Sequence, residues 1–326
     1  QPLPAADLPA EPGVPVNAPD WPDATGTVHL FDLPGIGSPA ASAPRILIAG
    51  AGSHDGWRGA DCWFVPAPDS EPIPVGPLRP AAALGVLAEP LAAASDCLFD
   101  LANAVVVALA NPVMTLESVG DAALLGGANR AMAGGELLQF GRAELVAPGV
   151  WRLSRLLRGR AGTASAMTHM AGEPFVLLDD PALLMLPDEL ARWAEGGTAT
   201  IQWVPRGGTM VTGIAVPAGA RALRPLAPVH GRVRSDGAGG AVVDWIGRSR
   251  ADTGWRDHVD QPSGESRELW RIAVSPAVPG IGPWERVSPT LAIGAADVAA
   301  LLPDSSIAIE QVGDFAVSPP LLLPFT

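Results

Sequence analysis

Four acidic residues are the first candidates for catalysis, because paired carboxylates can serve as acid and nucleophile in glycoside hydrolysis. Asp179 and Asp180 are neighbours immediately before Pro181, where aspartate commonly hydrogen-bonds the backbone of a turn. Glu265 and Glu268 could face one side of a turn, but the sequence around them supplies no aromatic-lined cleft. The acids therefore favour turns over hydrolysis, and no enzymatic activity is predicted.

The five histidines do not have the spacing of a metal site, since the sequence contains neither HxxxH nor CxxC. His54 adjoins Asp55, and His258 adjoins Asp257, but adjacent side chains in a strand point to opposite faces. A Ser-His-Asp triad can occur in any chain order, yet the GxSxG pattern is absent. No catalytic, cofactor-binding or metal-binding residue is assigned, and no cofactor is expected.

The arginines form two clusters in a chain that contains no lysine. The first cluster is one strand and its following loop, and the second lies in the C-terminal third. A guanidinium pairs well with a carboxylate, so each cluster needs acidic partners in the same chain, on a neighbouring subunit or on an anionic polysaccharide. The candidate interface residues are Arg152, Arg155, Arg158, Arg160, Arg248, Arg250 and Arg256.

The tryptophans offer a sugar-binding hypothesis, because an indole face can stack on the C–H groups of a pyranose. Trp245 and Trp270 lie in alternating strand patterns and are expected in a core, where each ring contributes about 2–3 kcal/mol. Trp255 and Trp284 stand beside glycine or proline in predicted loops. These two are the candidate glycan contacts.

The stretch from Leu124 to Thr163 is predicted to be β-structure turned at glycines. Its strands are Ala128–Ala133, Glu136–Val146 and Val150–Arg158. Strict alternation along the last strand puts Leu153 and Arg155 on one face and Leu156 on the other. We expect a stiff β-element with arginines at one end.

Elsewhere the pattern predicts short strands and few helices, in keeping with 35 prolines and 37 glycines. A short helix is expected from Pro187 to Gly196, and 81–93 has no clear period and is assigned no element. The strands predicted before residue 221 are Val28–Leu33, Ile46–Ala49, Trp57–Val65, Ala104–Leu109, Pro174–Leu178, Thr198–Pro205 and Met210–Val216. Those predicted after it are Val229–Arg234, Ala241–Arg248, Glu268–Val274, Thr290–Ile293 and Ile307–Val312, which suit a small sandwich or barrel.

Several phrases of the sequence together resemble phage tail-tip proteins and the baseplate "megatron" proteins of gene transfer agents. The resemblance runs from about Val28 to the end, and no one phrase carries it alone. The phrases are GANRAMAGGELLQFGRAEL, WRLSRLLRGRAGT, AGEPFVLLD, ALRPLAPVHGRVR, VVDWIGRSRADTGWRD, SGESRELWRIAV and IEQVG.

The resemblance implies a mainly β protein, namely the C-terminal portion of such a tail protein. It implies a Pro/Ala-rich linker at 1–27, a β-rich tail-type domain at 28–220 and a fibronectin-III-like sandwich at 221–326. His169 matches a histidine that recurs in the family, and we expect it to hold its loop by a hydrogen bond. The expected role is structural: joining the tail hub to fibres, aiding host attachment and assembling as a homotrimer in the particle tail, after synthesis in the bacterial cytoplasm. The alternatives are a carbohydrate-binding receptor module and an envelope hydrolase.

Composition sets further bounds on partners and compartment. The net charge of -13 argues against a nucleic-acid-binding surface and against binding to anionic lipid. No apolar run is long enough to span a bilayer, and no signal-peptide pattern is visible at the start. Cys62 and Cys97 are expected to be free, although one bridge between them remains open.

Overall fold

The computed structural model describes residues 24–36, 40–79, 82–179, 182–251 and 264–325. The chain is mainly β, as predicted. Its first seven strands are β1 (Gly26–Asp32), β2 (Ile46–Gly52), β3 (Ala60–Val65), β4 (Ile73–Leu78), β5 (Leu84–Leu87), β6 (Phe99–Asp100) and β7 (Val105–Leu109). The next seven are β8 (Arg130–Ala133), β9 (Glu136–Ala147), β10 (Val150–Arg160), β11 (Pro174–Leu177), β12 (Leu184–Met185), β13 (Thr200–Pro205) and β14 (Thr212–Ala215).

The remaining strands and the helices are short. The strands are β15 (Val229–Ser235), β16 (Ala241–Ile246), β17 (Trp270–Ser275), β18 (Trp284–Arg286), β19 (Thr290–Ile293), β20 (Ser306–Gln311) and β21 (Leu321–Pro324). The helices are α1 (Asp121–Leu125), α2 (Asp188–Trp193) and α3 (Ala295–Ala299). Within the part of the chain that the structure describes, no helix has the length and apolar character needed to cross a membrane.

Six antiparallel strands close into a barrel in the order β5-β7-β10-β9-β8-β11, and β11 pairs back onto β5. The short β6 adds to β10 beyond the end of β7. The interior is filled by apolar side chains, among them Phe140, Leu153 and Phe175, each fully buried. Because a closed ring leaves no unpaired strand within it, the barrel is stiff along its whole circumference.

Strand β2 lies between the barrel and a second sheet, and all seven of its residues are buried. Leu47 and Ala49 pack against the outer face of the barrel. Ile46 and Ile48, on the opposite face, join the core beneath the four-stranded sheet β14-β13-β3-β4. The period-2 alternation of a strand therefore attaches β2 to two layers at once.

The C-terminal strands form a β-sandwich, with sheet β15-β16-β19 facing sheet β18-β17-β20-β21. Trp245 and Trp270 are both 3% exposed in its core and meet edge to face, with ring centroids 5.9 Å apart. The predicted core position of these two rings is confirmed, and so is the predicted fold class of a β-rich part followed by a sandwich. The proposed domain boundaries at 27/28 and 220/221 stay predictions.

The face predicted for Leu156 is wrong. Leu153 and Leu156 are both buried in the barrel interior, although strict alternation places them on opposite faces. Arg155, between them, has a φ of 58°, in the left-handed region that non-glycine residues rarely adopt. This local reversal of the backbone returns Leu156 to the inside.

Candidate functional site

The best-defined polar site is an ionic cluster at one end of the barrel, centred on Arg158 of β10. Its guanidinium is fully buried and donates to Glu136 through Nε at 2.8 Å and Nη2 at 2.9 Å. Nη1 donates to the carbonyl of Ala92 at 3.0 Å and to Asp100 at 3.3 Å, and Nη2 also donates to the carbonyl of Met167 at 2.6 Å. The side chain therefore ties β9 and β10 to three surrounding segments.

Glu136, the first residue of β9, is the acceptor at the centre of the cluster. Besides Arg158 it accepts from the backbone N–H of Gly159 at 2.7 Å and from Nε2 of His169 at 2.8 Å. Burial by itself raises the pKa of Glu136, but the hydrogen bonds from His169 and Arg158 outweigh burial and lower the pKa below its ordinary value. Glu136 is therefore a carboxylate in the folded chain at neutral pH.

His169 is held between two carboxylates, because Nδ1 also lies 2.8 Å from Glu173. Burial lowers the pKa of His169, but the bonds to Glu136 and Glu173 outweigh burial and raise it. Both ring nitrogens therefore donate, and the ring is an imidazolium. The stabilisation that this adds is full below the ordinary pKa of histidine and is lost as pH rises through the raised value.

Asp100 completes the cluster from β6. Burial raises the pKa of Asp100, but hydrogen bonds from the side chain and backbone of Asn103 outweigh burial and lower the pKa. Its stabilising effect is therefore present above the ordinary pKa of aspartate and is lost as pH falls through the lowered value. The cluster thus holds two cations and three carboxylates, and its buried members bond to one another rather than to an open cavity. The arrangement acts as a cross-link between strands and loops.

A second buried ion pair lies where the sandwich meets the rest of the chain. Arg250 Nε donates to Glu265 at 2.6 Å, and both side chains are almost fully buried. Arg250 Nη1 donates to the carbonyls of Ala41 at 2.7 Å and Ala222 at 3.1 Å. Glu265 in turn accepts from the backbone N–H of Asp314 at 2.9 Å. One arginine thus joins four separate stretches of chain.

Residues 82–176 match the family model described as Rcc01698-like, C-terminal. The match coincides with the closed barrel, whose strands run from Leu84 of β5 to Leu177 of β11. No curated protein matches the chain. The family-matched segment also contains Arg158, Glu136, His169, Glu173 and Asp100, so the barrel and its ionic cluster form one unit.

The other predicted interface arginines differ in exposure and in the partners they bind. Arg155 donates to Asp121 at 2.6 Å and lies 4.6 Å from the centroid of the Phe99 ring. Arg152 and Arg160 are exposed and form no ion pair among the described residues. Arg248 is half-buried and donates through Nε to the carbonyl of Ala227, and burial lowers the pKa of Arg248. Arg256 lies outside the described residues.

Burial limits which of these arginines can meet another subunit. Arg158 is 1% exposed and Arg250 is 4% exposed, and both have partners within the chain. They do not fit an intersubunit role, because the carboxylates they bind are already inside the fold. The interface hypothesis stays a prediction for the other five arginines, namely Arg152, Arg155, Arg160, Arg248 and Arg256.

The structure describes only one of the two predicted glycan contacts. Trp284 lies at the start of β18, half-buried, and packs against the sandwich core. Trp255 lies outside the described residues. The stacking hypothesis for these two rings stays a prediction.

The acids proposed for turns, and the cysteines, occupy separate places. Asp179 lies 3.5 Å from Arg130 across an exposed surface, and Asp180 lies outside the described residues. Glu265 is buried against Arg250 while Glu268 is exposed, so the two do not face a common site. Both cysteines are free, as expected, with Cys62 buried and Cys97 exposed.

Sequence reasoning gave no role to the buried Glu136 and Asp100 of the cluster, and it also missed a buried acid at the end of β1, Asp32. It is 8% exposed and accepts from the backbone N–H of Arg221 at 3.2 Å. Burial raises the pKa of Asp32 to about 6, against the lowering effect of Arg221. The sequence gives no signal for this, because Asp32 precedes Leu33-Pro34 and looks like an ordinary strand-ending residue.

We expect Asp32→Asn to flatten the dependence of stability on pH. Because the pKa of Asp32 is raised, its stabilising contribution is full below the ordinary pKa of aspartate and is lost as pH rises through about 6. Relative to the wild type, the free energy of unfolding of the variant should therefore rise by up to about 3 kcal/mol as the pH is raised from 4 to 8. Urea denaturation across that range measures it. Asp100→Asn is the control of opposite sign, since it should lose stability at pH 8.

Proposed function

We propose that this chain is a structural component of the tail tip or baseplate of a phage or phage-like particle, such as a gene transfer agent. The observation that carries the proposal is the match of the closed barrel to the Rcc01698-like, C-terminal family model. The phrases of the sequence that resemble tail proteins support it. GGELLQFGRAEL and LSRLLRGRAGT cover most of β9 and β10, the two longest barrel strands, which carry Glu136 and Arg158 of the ionic cluster.

The physical role in this proposal is to transmit position. A closed barrel packed on the fully buried strand β2 gives a stiff unit, and the Arg250–Glu265 pair connects the sandwich to it. Such a body can join a tail hub to fibres and hold the parts that contact the host. We propose that it works as a homotrimer in the assembled tail, with Arg152 and Arg160 among the residues available to neighbouring subunits.

The second candidate is a carbohydrate-binding receptor module, favoured by the half-buried Trp284 on the edge strand β18. A glycan array on the isolated chain distinguishes it, because selective binding that is lost in Trp284→Ala supports this candidate. An envelope hydrolase, the least favoured alternative, requires turnover of peptidoglycan or polysaccharide that an acid-to-amide change abolishes.

Electron cryomicroscopy of intact particles tests the structural role directly. We expect density for this barrel and sandwich at the distal end of the tail, in three copies around the tail axis. Particles from a strain lacking the chain should have incomplete tails. Complete, infective tails without the chain, or density for it in the capsid, would contradict the proposal.

A further inference from the structure

Strand β15 carries a row of basic side chains on the outer face of the sandwich. His230, Arg232 and Arg234 alternate along it and are exposed, while the residues between them face inward. β15 is an edge strand of its sheet, so the row lies on an open border.

An irregularity in the strand opens a hollow beside this row. The register moves from Val229 opposite Ile246 to Arg232 opposite Asp244, so His230 and Gly231 together face Trp245. His230 has a φ of 53°, the left-handed backbone of a bulge. A hollow of about 310 Å³ lies beside the bulge. Its walls are His230, Arg232, Arg234, Asp244, Trp245 and Ile246.

One arginine in the hollow, Arg232, has no hydrogen-bonded counterion among the described residues. Asp244 is bonded through Oδ2 to Arg234 and through Oδ1 to the hydroxyl of Thr290 at 3.1 Å. The hydrogen bond from Arg234 lowers the pKa of Asp244, so both of its oxygens stay engaged as a carboxylate. Arg232, directly opposite Asp244 in the register, acts on that carboxylate through space, but within the described part of the chain it forms no hydrogen-bonded ion pair. Its guanidinium therefore has N–H donors available to a ligand in the hollow.

The surroundings of the hollow favour an anion that also has an apolar face. Residues 221–326 contain ten arginines and twelve acidic residues, whereas residues 1–220 contain eleven arginines and twenty-two acidic residues. The sandwich thus repels an anion far less than the rest of the chain does. Ile246, which is 55% exposed, supplies an apolar surface beside the hollow.

We propose that this hollow binds a carboxylate-bearing sugar ring of an acidic polysaccharide. The carboxylate pairs with Arg232, the imidazole of His230 bonds a ring hydroxyl, and the C–H face of the ring lies on Ile246. The choice of a polysaccharide rests on the proposed role in host attachment. The site itself is built only from residues of β15 and β16.

Isothermal titration of the full chain with oligogalacturonate at about 0.15 M ionic strength tests the site, with a neutral oligosaccharide of equal length as comparison. We expect saturable binding of the acidic sugar only. Arg232→Ala should weaken it about 10–100-fold, the range of one charge-assisted hydrogen-bonded contact. Arg232→Lys should keep part of the affinity, because the charge remains.

Arg267→Ala is the matched control, since it removes one exposed positive charge from the same sandwich outside the hollow. It should change affinity by less than about twofold, because exposed charges act weakly at a distance in salt. Equal losses in the two variants, or equal binding of the neutral sugar, would overturn the site. Competition by inorganic phosphate at the concentration of the sugar would overturn the assignment to a sugar. Particle tails assembled from Arg232→Ala chains show separately whether the structural role holds.

Discussion

Replacing Glu136 by glutamine is expected to lower the free energy of unfolding by about 3–5 kcal/mol, because it breaks a buried ion pair and leaves the guanidinium of Arg158 only its longer contact with Asp100. In the folded chain this carboxylate neutralises Arg158 and His169 in a space that solvent does not reach. Glutamine keeps the shape of the side chain but loses its charge, and its amide N–H groups would face the donors of Arg158. Urea denaturation at pH 7 with a two-state fit measures the loss.

Glu310→Gln is the matched control for this prediction. It makes the same chemical change in an Arg–Glu pair of similar geometry, since Glu310 accepts from Arg271 at 2.7 Å, but there the arginine is 45% exposed. Exposed pairs contribute about 0–1 kcal/mol, so the control should lose little. If the two variants lose equal stability, burial of the cluster has no special consequence, and its role as a cross-link is wrong.

A double variant separates the charge effect from a simple loss of packing. Arg158→Met in the Glu136→Gln background removes the guanidinium that has lost its main partner, and methionine fills much of the same volume. The double variant should therefore lose less stability than the sum of the two single variants. Additive losses would show that the two side chains contribute independently.

Local signals in the sequence were sufficient for the two long barrel strands. The second was expected to end at Arg158 and extends to Arg160, and the glycine turn before it lies where predicted. The hairpin of β13 and β14 and the short helix after Pro187 were also predicted. In each case the pairing or the cap involves neighbouring residues, so alternation and turn chemistry decide the outcome.

The closure of the barrel could not be predicted in the same way. β5 pairs with β11, about ninety residues later, and contains Gly85, which in a sequence indicates a break. The structure explains that glycine: a Cβ there would lie 2.2 Å from the carbonyl oxygen of Ala108 on β7. β4 was missed for a related reason, since Pro74 and Pro77 are tolerated only because β4 is an edge strand.

The candidate site was predictable by residue type but not by role. A chain rich in acids and clustered arginines indicates guanidinium–carboxylate pairs, and Arg155, Arg158 and Arg250 form them. Which arginines become buried depends on barrel closure and on the packing of the sandwich against Ala41 and Ala222, contacts between residues distant in sequence. Local rules contain no information on such contacts.

Replacing Arg250 by methionine is expected to separate the unfolding of the sandwich from that of the remaining chain. The guanidinium bonds Ala41 from the first part of the chain, Ala222 from the connection and Glu265 from the sandwich, all away from solvent. Methionine removes these bonds and leaves the Glu265 carboxylate buried without a cation, a change that costs about 3–5 kcal/mol in buried pairs. Because the bonds cross between units, most of the loss should fall on their coupling.

Differential scanning calorimetry should therefore show one transition in the wild type and two in Arg250→Met, and limited proteolysis should cut the variant faster between residues 221 and 228. Arg271→Met, which removes an exposed pair within the sandwich, should keep a single transition. Glu265→Leu in the Arg250→Met background should recover part of the stability, because no buried charge remains, but not the coupling, because the bonds to Ala41 and Ala222 stay absent. A single, unshifted transition in Arg250→Met would mean that the apolar contacts alone hold the sandwich in place. The rigid connection on which a position-transmitting tail component depends would then lie elsewhere.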